Sequence, residues 1–198
     1  MTLLTTAAAI VAGGRARRYG GLDKSRLVVE GRPIIVRQVE VLRRIAAPVF
    51  VVGGASDRFD DVGLTVYPDR IPDVGAIGGI YTALEVAETD RVVVVACDLP
   101  FLDAGLLARL VELSDGRDGA WVRTVRGTEP LLAVYARTAR HAVRSAIEAG
   151  RLQAGALDAV LAMAAMTADE LTQFGRPERL LANVNSPDDF ARVQLPAS

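Results

Sequence analysis

Residues 11–25 read VAGGRARRYGGLDKS and follow directly on the apolar run AAAIV at 7–11. That run is short, wholly apolar and stopped by Gly13-Gly14, which predicts a strand buried on both faces. The loop behind it carries four glycines and, counting Arg26 just beyond, five cations against one acid, Asp23. Core packing does not ask for that combination. A loop leaving the carboxyl end of a parallel strand is where α/β sheets bind ligands. Glycines there let the backbone N–H groups of Ala12 to Gly14 approach phosphate oxygens, while Arg15, Arg17, Arg18, Lys24 and Arg26 supply charge. Arginine can fork onto phosphate and lysine acts as a point charge. On these residues alone, a polyphosphate loop competes with a solvated basic loop whose glycines merely serve turns. The stretch has neither the Gly-Lys-Ser/Thr of a Walker A loop nor the G-x-G-x-x-G of a dinucleotide fold.

Outward from this loop, the first half alternates strand and helix. Pro33 sits at a first helical position, followed by Ile35, Val39, Leu42 and Ile45 at helical spacing. Strands are expected at 48–54 (PVFVVGG), 63–69 (GLTVYPD) and 91–100 (RVVVVACDLP), with a helix starting near Ile77. Asp103 is placed to cap a helix whose stripe is Leu106, Leu107, Leu110 and Leu113. This alternation predicts a mostly parallel sheet with right-handed crossovers. The second half is less regular. GAWVRTV and PLLAVYA read as strands antiparallel to the rest, ARTARHAVRSAIEAG and GALDAVLAMAAM as helices. LLANVN reads as a strand ending at Asn185, ahead of a helix capped by Ser186 with Pro187 first.

The 198 residues fit one domain, with a nucleotide-binding half at 1–115 and an acceptor-binding half at 116–198. Half the residues are hydrophobic (51%) and mean hydropathy is +0.26, which excludes general disorder. Lys+Arg is 23 against Asp+Glu 24, so no nucleic-acid or membrane partner is expected and any cationic site is local. Cys97 and His141 are the only residues of their types, which excludes an intrachain disulfide and a Cys/His zinc cluster. The apolar start lacks a basic leader region and is too short to span a bilayer, so the expected location is cytoplasmic. Trp121 is read as a packing residue, and His141 as a helix-surface residue rather than a ligand.

VVVVACDLPFL delivers Asp98 to a strand end, where a carboxylate facing a phosphate loop can hold Mg²⁺ or, alternatively, cap a helix. Cys97 beside it has no activating base in view. Asp69, with Asp73 as its rival, can accept N–H bonds from a base edge or a ribose hydroxyl, or serve a turn. Asn183 and Asn185 alternate on one strand and so face one side.

Read whole, VAGGRARRYGGLDKS followed by GRPII closely resembles the signature of the molybdenum cofactor guanylyltransferases, L-A-G-G-x-x-x-R-M-G-G-x-D-K and then G-x-P-L. Gly13, Gly14, Arg18, Gly20, Gly21, Asp23, Lys24, Gly31 and Pro33 match; Val11 and Tyr19 depart from it. CDLPF resembles the family's C-D-x-P-[FY], YPDRIPDVGAIGGI its Asp followed by G-P-L-x-G-[LI] with Ala76 in place of Pro, TEPLLAVY its P-L-x-A-[LV]-Y, and NVNSPDD its N-[IV]-N-[TS]-P-[ED]-[DE]. Gly53 and Gly54 stand where some members have a base-contacting Asn.

The resemblance implies a three-layer α/β/α nucleotidyltransferase fold with a Rossmann-like, mixed sheet. It also implies transfer of GMP from Mg-GTP to the phosphate of molybdopterin, releasing pyrophosphate. It assigns catalysis to Arg18, Lys24 and Asp98, with Asp98 as the Mg²⁺ ligand. Nucleotide binding falls to Val11, Ala12, Gly13, Gly14, Lys24, Gly53, Asp69, Gly78 and Asp98, and acceptor binding to Asn183 and Asn185. GTP and the molybdenum cofactor are the expected substrates, cofactor-delivery proteins the expected transient partners, and the chain a monomer or homo-oligomer. The rivals are a transferase on the same scaffold using CTP or a sugar phosphate, and a non-catalytic nucleotide- or cofactor-binding module.

Overall fold

The structure is a computed structural model that describes residues 6–12 and 23–194. Its first strand, β1 (Thr6–Val11), is wholly buried, as an apolar run with no polar alternation must be. A 3-10 turn at Lys24–Arg26 leads to a small hairpin of β2 (Val28–Val29) and β3 (Arg32–Pro33). Glu30 and Gly31 at its tip both have positive φ, the backbone that a tight two-residue hairpin turn demands. Helix α1 (Ile34–Leu42) follows, with Pro33 capping it rather than opening it.

Next come β4 (Val49–Val52), β5 (Val66–Tyr67), α2 (Ala76–Val86), β6 (Arg91–Ala96) and α3 (Ala104–Leu113). Asp103 caps α3 as expected, accepting from the Leu106 amide at 2.8 Å. Then follow β7 (Gly119–Thr124), β8 (Gly127–Ala136), α4 (Arg140–Glu148), β9 (Met163–Thr167), α5 (Ala168–Leu171), α6 (Pro177–Leu180) and α7 (Pro187–Gln194).

The main sheet runs β5-β4-β1-β6-β8-β7-β9. Strands β5, β4, β1 and β6 are mutually parallel, and β8 enters antiparallel to both β6 and β7. The period of two along each strand sorts the core into two layers. Ala7, Ala9, Val92 and Val94 pack with α2 and α4, whereas Ala8, Ile10, Val93 and Val95 pack with α1 and α3. Helices therefore cover both faces, and β1 and β6 end side by side at one edge. Among the described residues no helix is long and apolar enough to cross a membrane.

Of GAWVRTV and PLLAVYA only the second runs against the parallel strands: β7 is antiparallel to β8 and therefore aligned with β6, which corrects its expected direction. Two expected elements also differ. GALDAVLAMAAM is not a helix: a 3-10 stretch at Ala154–Ala159 precedes β9, which pairs parallel with β7 at the sheet edge. Ladder bonds to β7 override the helical preference of Ala, Leu and Met. Nor do residues 181–185 form a strand. A single backbone bond joins them to the end of β6, from the Val184 amide to the Asp98 carbonyl at 3.0 Å.

That single bond matters, because it lays the C-terminal segment across the end of β6. A third core of Val29, Ile34, Phe101, Val184 and Val193 then ties together the hairpin, the turn after β6 and α7. Ser186 caps α7, with the Asp189 amide donating to its hydroxyl at 3.1 Å.

Candidate active site

Gly13, Gly14 and Arg18, with Arg15, Arg17, Gly20 and Gly21, lie outside the described residues. The residues flanking them converge on the joint carboxyl edge of β1 and β6. Val11 is buried, with its side chain against α2, where a Cβ on Gly79 would come within 2.6 Å of Val11 Cγ1.

The Ala12 amide corrects an expectation. It donates to the Val52 carbonyl at 2.8 Å, extending the sheet, so it is not an N–H a phosphate can use. Arg26 needs a second correction. Its guanidinium forks onto Asp61 at 2.5 and 2.6 Å and donates to the Arg58 carbonyl at 2.7 Å, so it braces the loop instead of facing a ligand.

Asp23 and Lys24 divide the work of their motif. Asp23 accepts from the Ser25 amide and hydroxyl at 3.0 and 2.6 Å, which caps the 3-10 turn that carries Lys24. The same carboxylate takes a two-pronged bond from Arg58, Nε at 2.7 Å and Nη2 at 2.5 Å. Burial pushes the Asp23 carboxyl up, but Arg58 and Ser25 outweigh it and hold the pKa below the ordinary value. Arg58 Nη1 also reaches the Ala12 carbonyl at 3.3 Å. Arg58 thus locks the end of β1 to the turn bearing Lys24.

Sequence reasoning missed Arg58. The available signal was the glycine pair ahead of it. Gly54 has φ +96°, and a Cβ there would lie 2.9 Å from Arg58 Nη1, so glycine is the residue that lets the guanidinium pass. Gly53, also at positive φ, donates to the Tyr67 carbonyl at 2.9 Å and offers no side chain to a base.

Asp98 stands one residue beyond Cys97 at the end of β6, mostly buried. Burial raises its pKa, while the Lys24 ammonium opposes the rise and the Asp189 carboxylate adds to it. Lys24 Nζ donates to Asn185 Oδ1 at 2.8 Å, and the Asn185 amide donates to Asp189 Oδ2 at 3.1 Å. Lys24, Asp98, Asn185 and Asp189 are therefore one electrostatic neighbourhood drawn from three parts of the chain. Burial, with Asp98 adjacent, pushes the Cys97 thiol up to about 12, so it stays protonated and unreactive at neutral pH.

A second missed residue positions this carboxylate. Gln38 occupies a core position on α1, in line with Ile35, Val39 and Leu42, and is 1% exposed. Its Nε2 donates to the carbonyls of Ala96 and Leu99 at 2.7 and 2.9 Å, clamping the turn that presents Asp98. A glutamine on an apolar stripe was the legible sign.

Asn183 and Asp98 line a cavity of about 230 Å³ between β6, β8 and the C-terminal segment. Asp69 lies apart from it, just past β5, with its pKa raised by burial. Gly78 sits in the first turn of α2, where a Cβ would meet Val74 Cγ2 at 2.6 Å and the Ile71 carbonyl at 3.0 Å; the structure gives it a packing role. Trp121 is fully buried, which leaves it no face for a ligand. His141 is exposed on α4.

The donor set at the sheet edge suits a hard cation. The Asp98 carboxylate is oxygen-only and sits near a second carboxylate, Asp189. Among the described residues no group of three His, Cys, Asp or Glu gathers, so a divalent ion here would draw the rest of its shell from phosphate oxygens and water.

Fold and site together define an α/β nucleotidyltransferase, and comparison with known proteins narrows the class. Residues 8–184 match the family described as MobA-like NTP transferase domain. The chain is 31% identical over 196 residues to a protein of Pelotomaculum thermopropionicum described as "Probable molybdenum cofactor guanylyltransferase", covering 98% of this chain and 95% of that one. It is 31% identical over 184 residues to the molybdenum cofactor guanylyltransferase of Pseudomonas entomophila, covering 87% and 94%. The crystal structure of molybdopterin-guanine dinucleotide biosynthesis protein A from Archaeoglobus fulgidus superposes with a TM-score of 0.79 at 25% identity, covering 95% of this chain and 96% of that one. The chain belongs to the MobA-like NTP transferase family.

Proposed function

We propose that the protein transfers GMP from GTP to the terminal phosphate of molybdenum cofactor in the cytoplasm, giving molybdopterin guanine dinucleotide and pyrophosphate. The observation that carries this reading is the meeting of Lys24, Asp98 and Asn185 at the joint end of β1 and β6, within a chain related over nearly its whole length to guanylyltransferases.

An oxygen of the acceptor phosphate attacks the α-phosphorus of GTP, and the bond to the β-phosphate oxygen breaks. The attacking oxygen is already anionic, so no general base is needed, which agrees with the protonated Cys97 and the remote His141. What remains is to bring two anions together and stabilise charge at the α-phosphorus and on the departing pyrophosphate. Asp98 would hold Mg²⁺, which supplies Lewis-acid neutralisation of the phosphates. Lys24 lends positive charge to the triphosphate from a turn fixed by Asp23 and Arg58. Asn185 orients the Lys24 ammonium, and Gln38 holds the backbone on either side of Asp98. Gly53 and Asp69 flank the β4/β5 side, where the guanosine portion would lie.

A pyrophosphate-release assay with GTP, CTP and ATP, each with and without molybdenum cofactor, tests the reading. Release with GTP that depends on the acceptor is the expected result. Release with CTP alone among the three would assign the related cytidylyl chemistry, and nucleotide binding without release would make the protein a non-catalytic module.

A further inference from the structure

The cavity beside Asp98 contains a second carboxylate that the reaction above does not use. Glu129 of β8 lines it, with Leu131, Leu132, Leu181 and Asn183 among the other lining residues. An irregularity in the sheet puts Glu129 there. Trp121 of β7 pairs with Ala133 of β8, but the next β7 residue, Val122, pairs with Glu129, so residues 130–132 have no partner on β7, although Leu132 still pairs with Val95 of β6. The Tyr135 hydroxyl donates to the Pro130 carbonyl at 2.8 Å and pins the bulge.

Glu129 is half-buried, and burial raises its pKa against a partly offsetting pull from Arg126. Among the described residues no hydrogen bond or ion pair under 4.0 Å reaches its carboxylate. A half-buried carboxylate with open acceptor sites on a cavity wall can take donors from a ligand seated there. The cavity suits a flat heteroaromatic ring, with leucines in its lining and Asn183 as a polar residue beside them. A carboxylate accepts two N–H bonds side by side, the pattern offered by a ring with an amino group next to an amide N–H.

Pterins and guanine both carry that edge, and the strand order separates them. Gly53 and Asp69 follow β4 and β5, on one side of β1, whereas Glu129 lies on β8, beyond β6, on the other. The geometry points to Glu129 as the specificity residue for the acceptor, accepting the amino–amide edge of its pterin ring while Asp98 faces the reacting phosphate. The inference rests on the guanylyltransferase reading and names the contact that selects its acceptor.

Glu129→Gln keeps the size of the side chain but puts a donor where an acceptor is needed. Pterin itself, which is fluorescent, serves as the probe in titrations of wild type and variant, with GTP binding and melting temperature measured on both. Loss of a charge-assisted pair predicts pterin affinity lower by about 10- to 100-fold, with GTP affinity and melting temperature unchanged. In turnover, KM for the molybdenum cofactor should rise while KM for GTP stays put. Equal pterin binding by both proteins, or none by the wild type, overturns the inference. So does a loss of Mn²⁺ binding in the variant, which would make Glu129 a metal ligand. Glu129-dependent pterin binding without pyrophosphate release would uphold the subsite and defeat the transferase reading. Pyrophosphate release with equal acceptor KM in both proteins would do the reverse.

Discussion

Asp98 is flanked by two regions built on opposite plans. On the β1/β4 side the charges around the Lys24 turn are matched: Asp23 by Arg58 and Ser25, and Arg26 by Asp61. On the β8 side Glu129 and Asn183 face a leucine-lined cavity without such pairing. These bonds fix the turn that carries Lys24 before any ligand arrives, as the proposed transfer from a triphosphate held in one geometry requires. In the inference drawn above, the open side keeps its acceptor sites for the molecule that is to be chosen. In the proposed function, preorganisation and selection fall to different strands, with Asp98, the proposed metal ligand, between them.

The largest expected effects fall on the junction. Asp98→Ala and Lys24→Ala should each lower turnover by about 100- to 1000-fold in steady-state pyrophosphate release, with folding close to wild type by circular dichroism. Turnover retained in either variant would remove that residue from the chemistry.

The matched side comes next. Arg58→Ala leaves a partly buried Asp23 unpaired and frees the turn beneath Lys24. Denaturant unfolding should show a loss of about 1–3 kcal/mol, and kcat should fall although Arg58 is given no contact with substrate. The sign of the pH dependence is fixed by Asp23. Its folded pKa lies below the ordinary 3.8, so its stabilisation is complete above that value and is lost as the pH falls through the folded one. The stability gap between wild type and Asp23→Asn should therefore be constant near neutrality and close in acid. A gap that grew as the pH fell would contradict the pairing.

Gln38→Leu keeps the bulk of a core side chain but releases the two carbonyls around Asp98. It should lower kcat by about tenfold and the melting temperature by several degrees, because two buried acceptors lose their donor. Smallest of all, Cys97→Ala should leave turnover unchanged, and a thiol reagent should not inactivate the wild type near neutral pH, since the thiol stays protonated.

What could be read from the chain follows the same division. The parallel half was legible because buried strands such as RVVVVA and the amphipathic stripe of α3 are local patterns, and because the glycine-rich motif marks the end of β1. Arg58 and Gln38 belong to no motif; their roles depend on what the fold brings within reach of them. Across β6 local pattern failed more often. Residues 163–167 carry a helical composition yet pair with β7, and Asn183 and Asn185 lie on a segment held to the turn after β6 by one backbone bond. Glu129 lies within TEPLLAVY with nothing local to mark it, since the register shift opposite Val122, which accompanies its place on the cavity, is not visible in the sequence.

The central claim is that one carboxylate at the end of β6 holds the metal between a donor side and an acceptor side. A crystal soaked with Mn²⁺ and a non-hydrolysable GTP analogue tests it through the anomalous signal of the metal. The account predicts Mn²⁺ on the Asp98 carboxylate, the triphosphate against Lys24, and the guanine toward Gly53 and Asp69. Mn²⁺ elsewhere, or the guanine lodged against Glu129, would contradict it.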